Sequence, residues 1–422
     1  MLQQTKAIII GGGPGGLAAA LRLQQKANVL CSVYELRPEP TTLGGAIGIL
    51  PNGLRLLDRL GVYSDLQQRG SSHSTITMHA MNGGTLGQTD MIGEAKELTG
   101  FGCMRIKRTE LQDTLLKAVD EAKISVHYNK RLTSITELAD SVQVTFSDGT
   151  ADTADLLLGC DGIHSAVRRL HVDPDQTPVY TGMAGLGSLI PTSSVSESAR
   201  KKIQGMNVTF TQEGMFGTMS CTASDDELLW FLSKEVPLPD SEDARNGWEV
   251  YRKEEVDGFK TYLLDTLKNA GGEWGSIIRE LINNTTAVKF YPNYKLPIGG
   301  KWCKGRTLLL GDAAHAMPPH AGQGVSMALE DAFLLARLLQ ERGQPLEDTF
   351  KQYEEIRRPR IDEISHKAVG NASIRKKTGA WGLWLKEMGL WMYLRGSWAF
   401  GMNNRWGSDT SHMVYDIDEV TI

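Results

Sequence analysis

The sequence lacks a disulfide framework, a dominant charge and a long apolar run. Its five cysteines, Cys31, Cys103, Cys160, Cys221 and Cys303, are scattered, odd in number and never spaced Cys-x-x-Cys. That excludes a cysteine-stapled scaffold and a thiolate metal site, and is read as buried thiols in a reducing compartment. Lys plus Arg total 45 against 50 Asp plus Glu, a formal charge of −5 with no long block of either sign. No electrostatic case exists for a nucleic-acid partner. No uncharged run approaches the roughly 20 apolar residues of a spanning helix, and only a few polar residues precede the first apolar run, too few for a cleavable leader. The expectation is a cytoplasmic protein with a small-molecule ligand.

What the sequence has is glycine-punctuated strand and helix grammar. Lys6 to Ile10 reads as a buried strand, Gly11 to Gly16 as a turn, Leu17 to Gln25 as a helix and "VLCSVYEL" as a second strand. This is a βαβ unit, the start of an α/β fold of Rossmann type. "NGLRLLDRLGVYSDLQQRG" has helical periodicity, with Asn52 as cap and Gly61 as stop. Ser74 to Gly100 reads as β, with a turn at Gly83-Gly84, and "KRTELQDTLLKAVDEA" as an amphipathic helix capped near Thr109. At 422 residues the chain has room for two or three domains. The texture predicts one discontinuous domain over 1–75, 101–180 and 300–369, a sheet-plus-helix domain over 76–100 and 181–299, and a C-terminal helical segment over 370–422. That last segment carries five of the nine tryptophans, an apolar stripe expected to pack on the body or on the mate of a homodimer rather than on a membrane surface.

The turn "GGGPGG" fits G-x-G-x-x-G through Gly11, Gly13 and Gly16, after a strand and at a helix start. Gly11 makes the tight turn, Gly13 lets a pyrophosphate approach the backbone, and Gly16 lets helix and strand touch. The helix N-terminus presents free N–H groups to the anion. Glu35 ends the second strand, where an acid accepts both ribose hydroxyls and disfavours a 2′-phosphate; the ligand is therefore FAD or NAD. "LLLGCDGIHSAVRR" and the late "LLLGDAAHAMPPHAGQG" repeat the pattern of a buried strand ending in a glycine turn, at Asp161-Gly162 and Gly311-Asp312.

With those three motifs in this order, the chain resembles the single-component FAD-dependent aromatic hydroxylases with the para-hydroxybenzoate hydroxylase fold, closest to the salicylate hydroxylase-like and fungal secondary-metabolite types. The resemblance implies that Glu35 binds the adenosine ribose, that Ala46 and Gly48 lie along the FAD, and that Arg108 approaches it from its helix start. Asp161 and Gly162 match the family's Asp-Gly motif, Asp312 would bond the ribityl chain, and Gly322, Gly324 and Val325 would present backbone to the flavin. Tyr353, Arg357 and Pro359 match a structural pattern. No second G-x-G-x-x-G follows a strand, in keeping with NADPH or NADH as a transient reductant and O2 as co-substrate.

The implied activity is a monooxygenase that passes one oxygen of O2, through a flavin C4a-hydroperoxide, to an aromatic, polycyclic or alkene molecule by hydroxylation or epoxidation. The alternative is a flavin enzyme that desaturates or cyclises without oxygen insertion. Phe216 and Met219, in "GMFGTMSCT", and Pro319 are the expected substrate walls. His315 and His320 are candidates for a catalytic base, with loop bracing as the competing role. One departure matters: where many such hydroxylases carry an arginine in the first strand of the substrate domain, this chain has Leu186 and Gly187. A carboxylate clamp is not expected at that point.

Overall fold

A computed structural model describes residues 4–40, 45–90, 92–238, 256–340, 344–399 and 410–422. The opening unit is β1 (Lys6–Ile10), α1 (Pro14–Ala27) and β2 (Leu30–Tyr34). It is followed by β3 (Ala46–Ile49), α2 (Pro51–Arg59), α3 (Tyr63–Gln67), β4 (Thr75–His79), β5 (Thr85–Asp90), α4 (Gly93–Thr99), β6 (Met104–Lys107) and α5 (Arg108–Glu121). Then come β7 (Ser125–His127), a meander of β8 (Leu132–Glu137), β9 (Val142–Phe146) and β10 (Ala151–Ala154), and β11 (Leu156–Gly159).

β1 and β11 are apolar throughout because they run through the middle of a six-stranded sheet, ordered β17-β18-β11-β1-β2-β7, where β17 is Cys303–Lys304 and β18 Thr307–Leu309. All its pairs are parallel except β17 with β18. Helices cover such strands on both faces, so the run cannot alternate. Ile8, Ile9, Leu156, Leu157 and Leu158 are completely buried, each side chain contributing about 1.5–3 kcal/mol of transfer free energy.

The other large sheet has seven strands, ordered β16-β12-β15-β14-β13-β4-β5. Its remaining members are β12 (Val179–Pro191), β13 (Met206–Phe210), β14 (Gly214–Ser220), β15 (Glu227–Glu235) and β16 (Lys289–Lys295), with α6 (Glu197–Lys202) between β12 and β13. Neighbours are antiparallel apart from β13 with β4. One face buries Phe216, Trp230, Leu232 and Leu186 beneath α7 (Val256–Thr266) and α8 (Gly272–Asn283). The opposite face carries Val208, Phe210 and Met215.

From β18 the chain enters α9 (Asp312–His315), a 3-10 turn at Pro319–Ala321, and the long helices α10 (Gly324–Gln340), α11 (Leu346–Ser373) and α12 (Ala380–Ala399). α12 lays Leu383 against Val208, Phe210 and Met215 and Leu394 against Ala80 and Leu86. Its opposite side leaves Trp381 80% exposed, with Trp384, Leu385, Trp391 and Met392 also exposed. The expected stripe is thus docked on one side only. No described helix is long and apolar enough to cross a membrane.

Three local expectations are corrected. α1 begins at Pro14, not Leu17, because proline's fixed φ and missing N–H suit the first helical position. Asn52 is not a cap: Pro51 starts α2 after Leu50, and the buried Asn52 amide bonds Gln323 and Glu330 across the fold. α4 interrupts a stretch expected to be β, and buries Ala95 against Leu50 and Met413.

Candidate active site

The first turn is shaped by missing side chains. Gly11 has φ +112°, and a Cβ there would sit 2.3 Å from the Cys160 carbonyl oxygen, so only glycine can occupy it. At Gly16 a Cβ would fall 2.0 Å from the Gly11 oxygen; its absence lets α1 lie against the end of β1. A Cβ on Gly13 meets nothing within 4 Å, leaving that backbone open. The first bond of α1 runs from the Leu17 N–H to the Gly13 oxygen at 3.0 Å, so the N–H groups of Gly15 and Gly16 have no intrahelical acceptor. Glu35 is fixed beside them, its carboxylate accepting from the Gly12 N–H at 2.8 Å and the Arg37 N–H at 2.9 Å. Gln112, absent from the expected set, donates to the Gly12 oxygen at 2.6 Å.

Asp161 follows β11. One of its oxygens accepts from the Ala166 N–H at 2.6 Å and the Val167 N–H at 3.2 Å, while the other is buried with no partner among the described residues. Desolvation raises its pKa against these bonds. Gly162 carries the chain out of that turn with open space beside it.

The second turn is shaped by charge. Asp331, on α10, takes the Gly311 N–H at 2.7 Å and His315 Nε2 at 2.8 Å on one oxygen, and Arg357 Nε at 2.8 Å on the other. Arg357 Nη1 reaches Glu330 at 2.7 Å, and Arg360 forks onto the same carboxylate with two bonds of 2.7 Å. Burial works to raise the Asp331 pKa, but His315 and Arg357 overcome it and hold the carboxyl well below its usual range. Asp312 is exposed, yet desolvation still raises its pKa, opposed by the charges of His315 and Arg108. The two facts describe a carboxyl on the floor of a deep cleft.

Arg108 lies near enough for its charge to act on Asp312; its N–H donates to the Gly45 oxygen at 3.1 Å, just ahead of β3, whose Ala46 and Gly48 pair with Lys107 and Arg105 of β6. The first bond of α10 is Met327 N–H to Gln323 oxygen, 2.9 Å. The N–H groups of Gly324, Val325 and Ser326 are therefore without intrahelical acceptors. Gly48, Gly322 and Gly324 each have open space where a Cβ would be. Ala328, on α10, lies within 3.2 Å of a Cβ on Gly15 and 3.1 Å of one on Gly311, so this helix joins the two turns.

The sequence model of the FAD binding domain family matches residues 4–256 and 298–368. The chain belongs to that family. It is 29% identical to 6-hydroxynicotinate 3-monooxygenase of Pseudomonas fluorescens, over 89% of this chain and 93% of that one. It is 30% identical to 2-heptyl-3-hydroxy-4(1H)-quinolone synthase of Pseudomonas aeruginosa, over 90% and 92%. Among solved structures it is similar to HpxO of Klebsiella pneumoniae, complexed with FAD and uric acid, at a TM-score of 0.78 and 25% identity, covering 96% and 98%. Its relatives are class A FAD-dependent aromatic hydroxylases, and this chain is an FAD-dependent monooxygenase.

The residues present fit FAD. The open backbone at Gly13 and the free N–H groups of α1 suit a diphosphate, Glu35 keeps lone pairs for diol hydroxyls, Asp312 stands ready for a hydroxylated chain, and the start of α10 suits an electron-rich ring edge. His315 is buried in the ion network, its ring tilted 58° to that of Trp302 with centroids 5.2 Å apart, and its Nε2 bonds Asp331 beneath the loop. His320 is buried in the 3-10 turn, while the neighbouring Pro319 is exposed. Phe216 and Met219 of this monooxygenase do not share a wall. Three residues apart on one strand they point to opposite faces, and Phe216 belongs to the core under α8. Met219 pairs with Leu229, whose side chain lies 2.8 Å from a Cβ on Gly45. Met219 is therefore on the β3 side. The signal for the ion network was visible as Glu330 and Asp331 inside the otherwise apolar run "MALEDAFLLARLL"; Gln112 had no such signal.

Proposed function

We propose that this monooxygenase hydroxylates an aromatic ring already bearing oxygen, in a pocket between the Pro319–Ala321 turn and the face of the seven-stranded sheet that carries Met215 and Met219. In this reading 1–75, 101–180 and 300–369 hold FAD, and 76–100 with 181–299 hold the substrate. Bound FAD, reduced by NADH or NADPH, supplies the oxygen-activating chemistry. Gly11, Gly13, Gly16 and Glu35 grip the ADP half; Asp161 and Gly162 line it; Ala46, Gly48, Arg108, Asp312, Gly322, Gly324 and Val325 grip the flavin half.

The observation that carries the reading is that the charges of His315 and Arg108 act on Asp312 at the foot of the loop leading into α10, whose first N–H groups are unpaired within the helix. Helix-terminal N–H groups stabilise negative charge on a reduced ring by about 1 kcal/mol when exposed and more when desolvated. The apolar side chains of that sheet face, with Met215 buried, serve to keep water from the reacting atoms. Relatives named for hydroxylating hydroxynicotinate and aminohydroxybenzoate support a phenol-like substrate.

A cytoplasmic location and a homodimer joined through the exposed tryptophans of α12 belong to the same proposal; the mass in solution checks the latter. The main test is spectroscopic and isotopic. The purified protein should carry flavin absorbance, oxidise NAD(P)H faster when a hydroxylated aromatic acid is added, and place one labelled atom of O2 in the product. Turnover without label would favour desaturation or cyclisation.

A further inference from the structure

Residues 411–420 tie together the helices that carry the two turns. They form α13 (Ser411–Val414) and a 3-10 turn at Ile417–Glu419, and five arginines from four helices converge on them. From α1, Arg22 reaches Asp418 at 3.2 Å; from α2, Arg55 reaches Asp416 at 2.7 Å, and Arg59 reaches Asp416 at 2.6 Å and Asp418 at 2.9 Å. From α10, Arg337 donates to the Ile417 and Val420 oxygens at 2.5 and 2.8 Å; from α11, Arg360 donates to the His412 oxygen at 3.0 Å. Ile417 is completely buried, and Met413 packs in a cluster with Ala95 and Leu50.

The arginines depend on the segment for their counter-ions. Burial lowers the Arg22 pKa, Asp418 raises it, and the charges of Arg59 and Arg337 lower it further. Burial works to raise the Asp416 pKa, but the bonds from Arg59 and Arg55 overcome it and bring it down to about 2. With Asp416 and Asp418 withdrawn, Arg22, Arg59 and Arg337 would face one another as like charges from three helices.

Two routes lead from the segment to the cofactor cleft. Arg360 lies over the Tyr415 ring, 3.7 Å from its centroid, and forks onto Glu330, which also takes the Asn52 amide at 2.8 Å and Arg357 at 2.7 Å. Arg357 in turn bonds Asp331, which holds the Gly311 N–H. The second route is mechanical. The first N–H groups of α1 and α10 face the ligand, while Arg22 and Arg337 lie past the midpoints of the same two helices. A dinucleotide that spans the starts and a segment that spans the far halves each remove freedom that the other would otherwise have to remove.

We propose that Tyr415, Asp416 and Asp418 are positioning residues for the cofactor: docking of residues 411–420 sets the spacing of α1 and α10, so that docking and FAD binding strengthen each other. The inference rests on the FAD reading of the two turns. Hydrogen exchange of the whole chain, flavin-free and FAD-loaded, checks it without turnover; loading should slow the amides of residues 411–420 at least about fivefold. Coupling is reciprocal, so Asp416→Asn and Tyr415→Leu should each weaken FAD binding by a similar factor in a fluorescence titration. Val144→Ala, at a fully buried site in β9, should lower the melting temperature but leave FAD affinity near wild type. Equal exchange at 411–420 with and without FAD would overturn the clasp, even if the substituted chains fail to fold. Wild-type FAD affinity in both segment variants, or an equal loss in Val144→Ala, would overturn it too. Failure of the FAD reading shows separately, as a wild-type chain that takes up no flavin, and the clasp falls with it.

Discussion

The turns at Gly11–Gly16 and Gly311–Gly324 face one ligand from two ends, and they are held in opposite ways. The first keeps its shape because side chains are absent: a methyl on Gly11 or Gly16 would strike backbone atoms at 2.3 and 2.0 Å. The second keeps its shape because charges are present, with Asp331 and Glu330 locked by Arg357 and Arg360 beneath the loop. Steric turns fail by clash and do not respond to pH. Electrostatic ones fail by loss of a partner, and they titrate.

Substitutions can break that contrast, and the largest effect belongs to the charged turn. Arg357→Leu removes the guanidinium shared by two buried carboxylates and should lower stability by about 3–5 kcal/mol, measured by chemical denaturation, with flavin lost as the 311–324 turn loosens. Gly11→Ala should follow at about 2–4 kcal/mol, from clash and backbone strain; unlike the first, its deficit should be the same at pH 5 and pH 8.

Acid gives the third test. The folded pKa of His320, about 4, lies below its ordinary value near 6.5. The unfolded chain therefore takes up the proton first. The stability this ring contributes is full above about pH 6.5 and falls as pH drops toward 4, by up to about 3 kcal/mol. His320→Gln should flatten the melting temperature over that window; an unchanged slope would mean that the ring is not held neutral beside Arg375. Asp331 acts lower still, since its depressed pKa stabilises above about pH 4 and is lost below.

The smallest effect on the fold sharpens the comparison most. Gly13→Ala meets no protein atom, so stability should change by less than about 1 kcal/mol, while flavin affinity drops at least about tenfold, read by fluorescence titration. A large stability loss there would mean that Gly13 serves the fold rather than a ligand.

The first turn was largely legible because its physics is local. Gly11, Gly13, Gly16 and Glu35 lie close together in sequence, and the clash that forbids a side chain at Gly16 is with Gly11 itself, although the one at Gly11 is with the distant Cys160 carbonyl. Even there the helix start was placed three residues late, since Pro14 counted as turn rather than as first helical residue. The second turn was legible as a motif but not in its support. Asn52 looked like a cap until its amide was found on Glu330, far along the chain. Phe216 and Met219 looked like one wall until the strand's pleat put them on opposite faces.

The amino-acid sequence alone determined the nucleotide-binding α/β unit, because that rests on glycines and an acid at short spacing, whose steric and hydrogen-bond demands hold in almost any surroundings; the family and the flavin followed from the resemblance that the three motifs carry together. Only the tertiary structure decided which charges face each other: that His315 bonds Asp331, that Glu330, Asp331, Arg357 and Arg360 form one buried network, and that Arg375 meets His320 with no carboxylate partner among the described residues. Coulomb energies depend on through-space distance and burial. Neither is a property of the order of residues until the chain has folded.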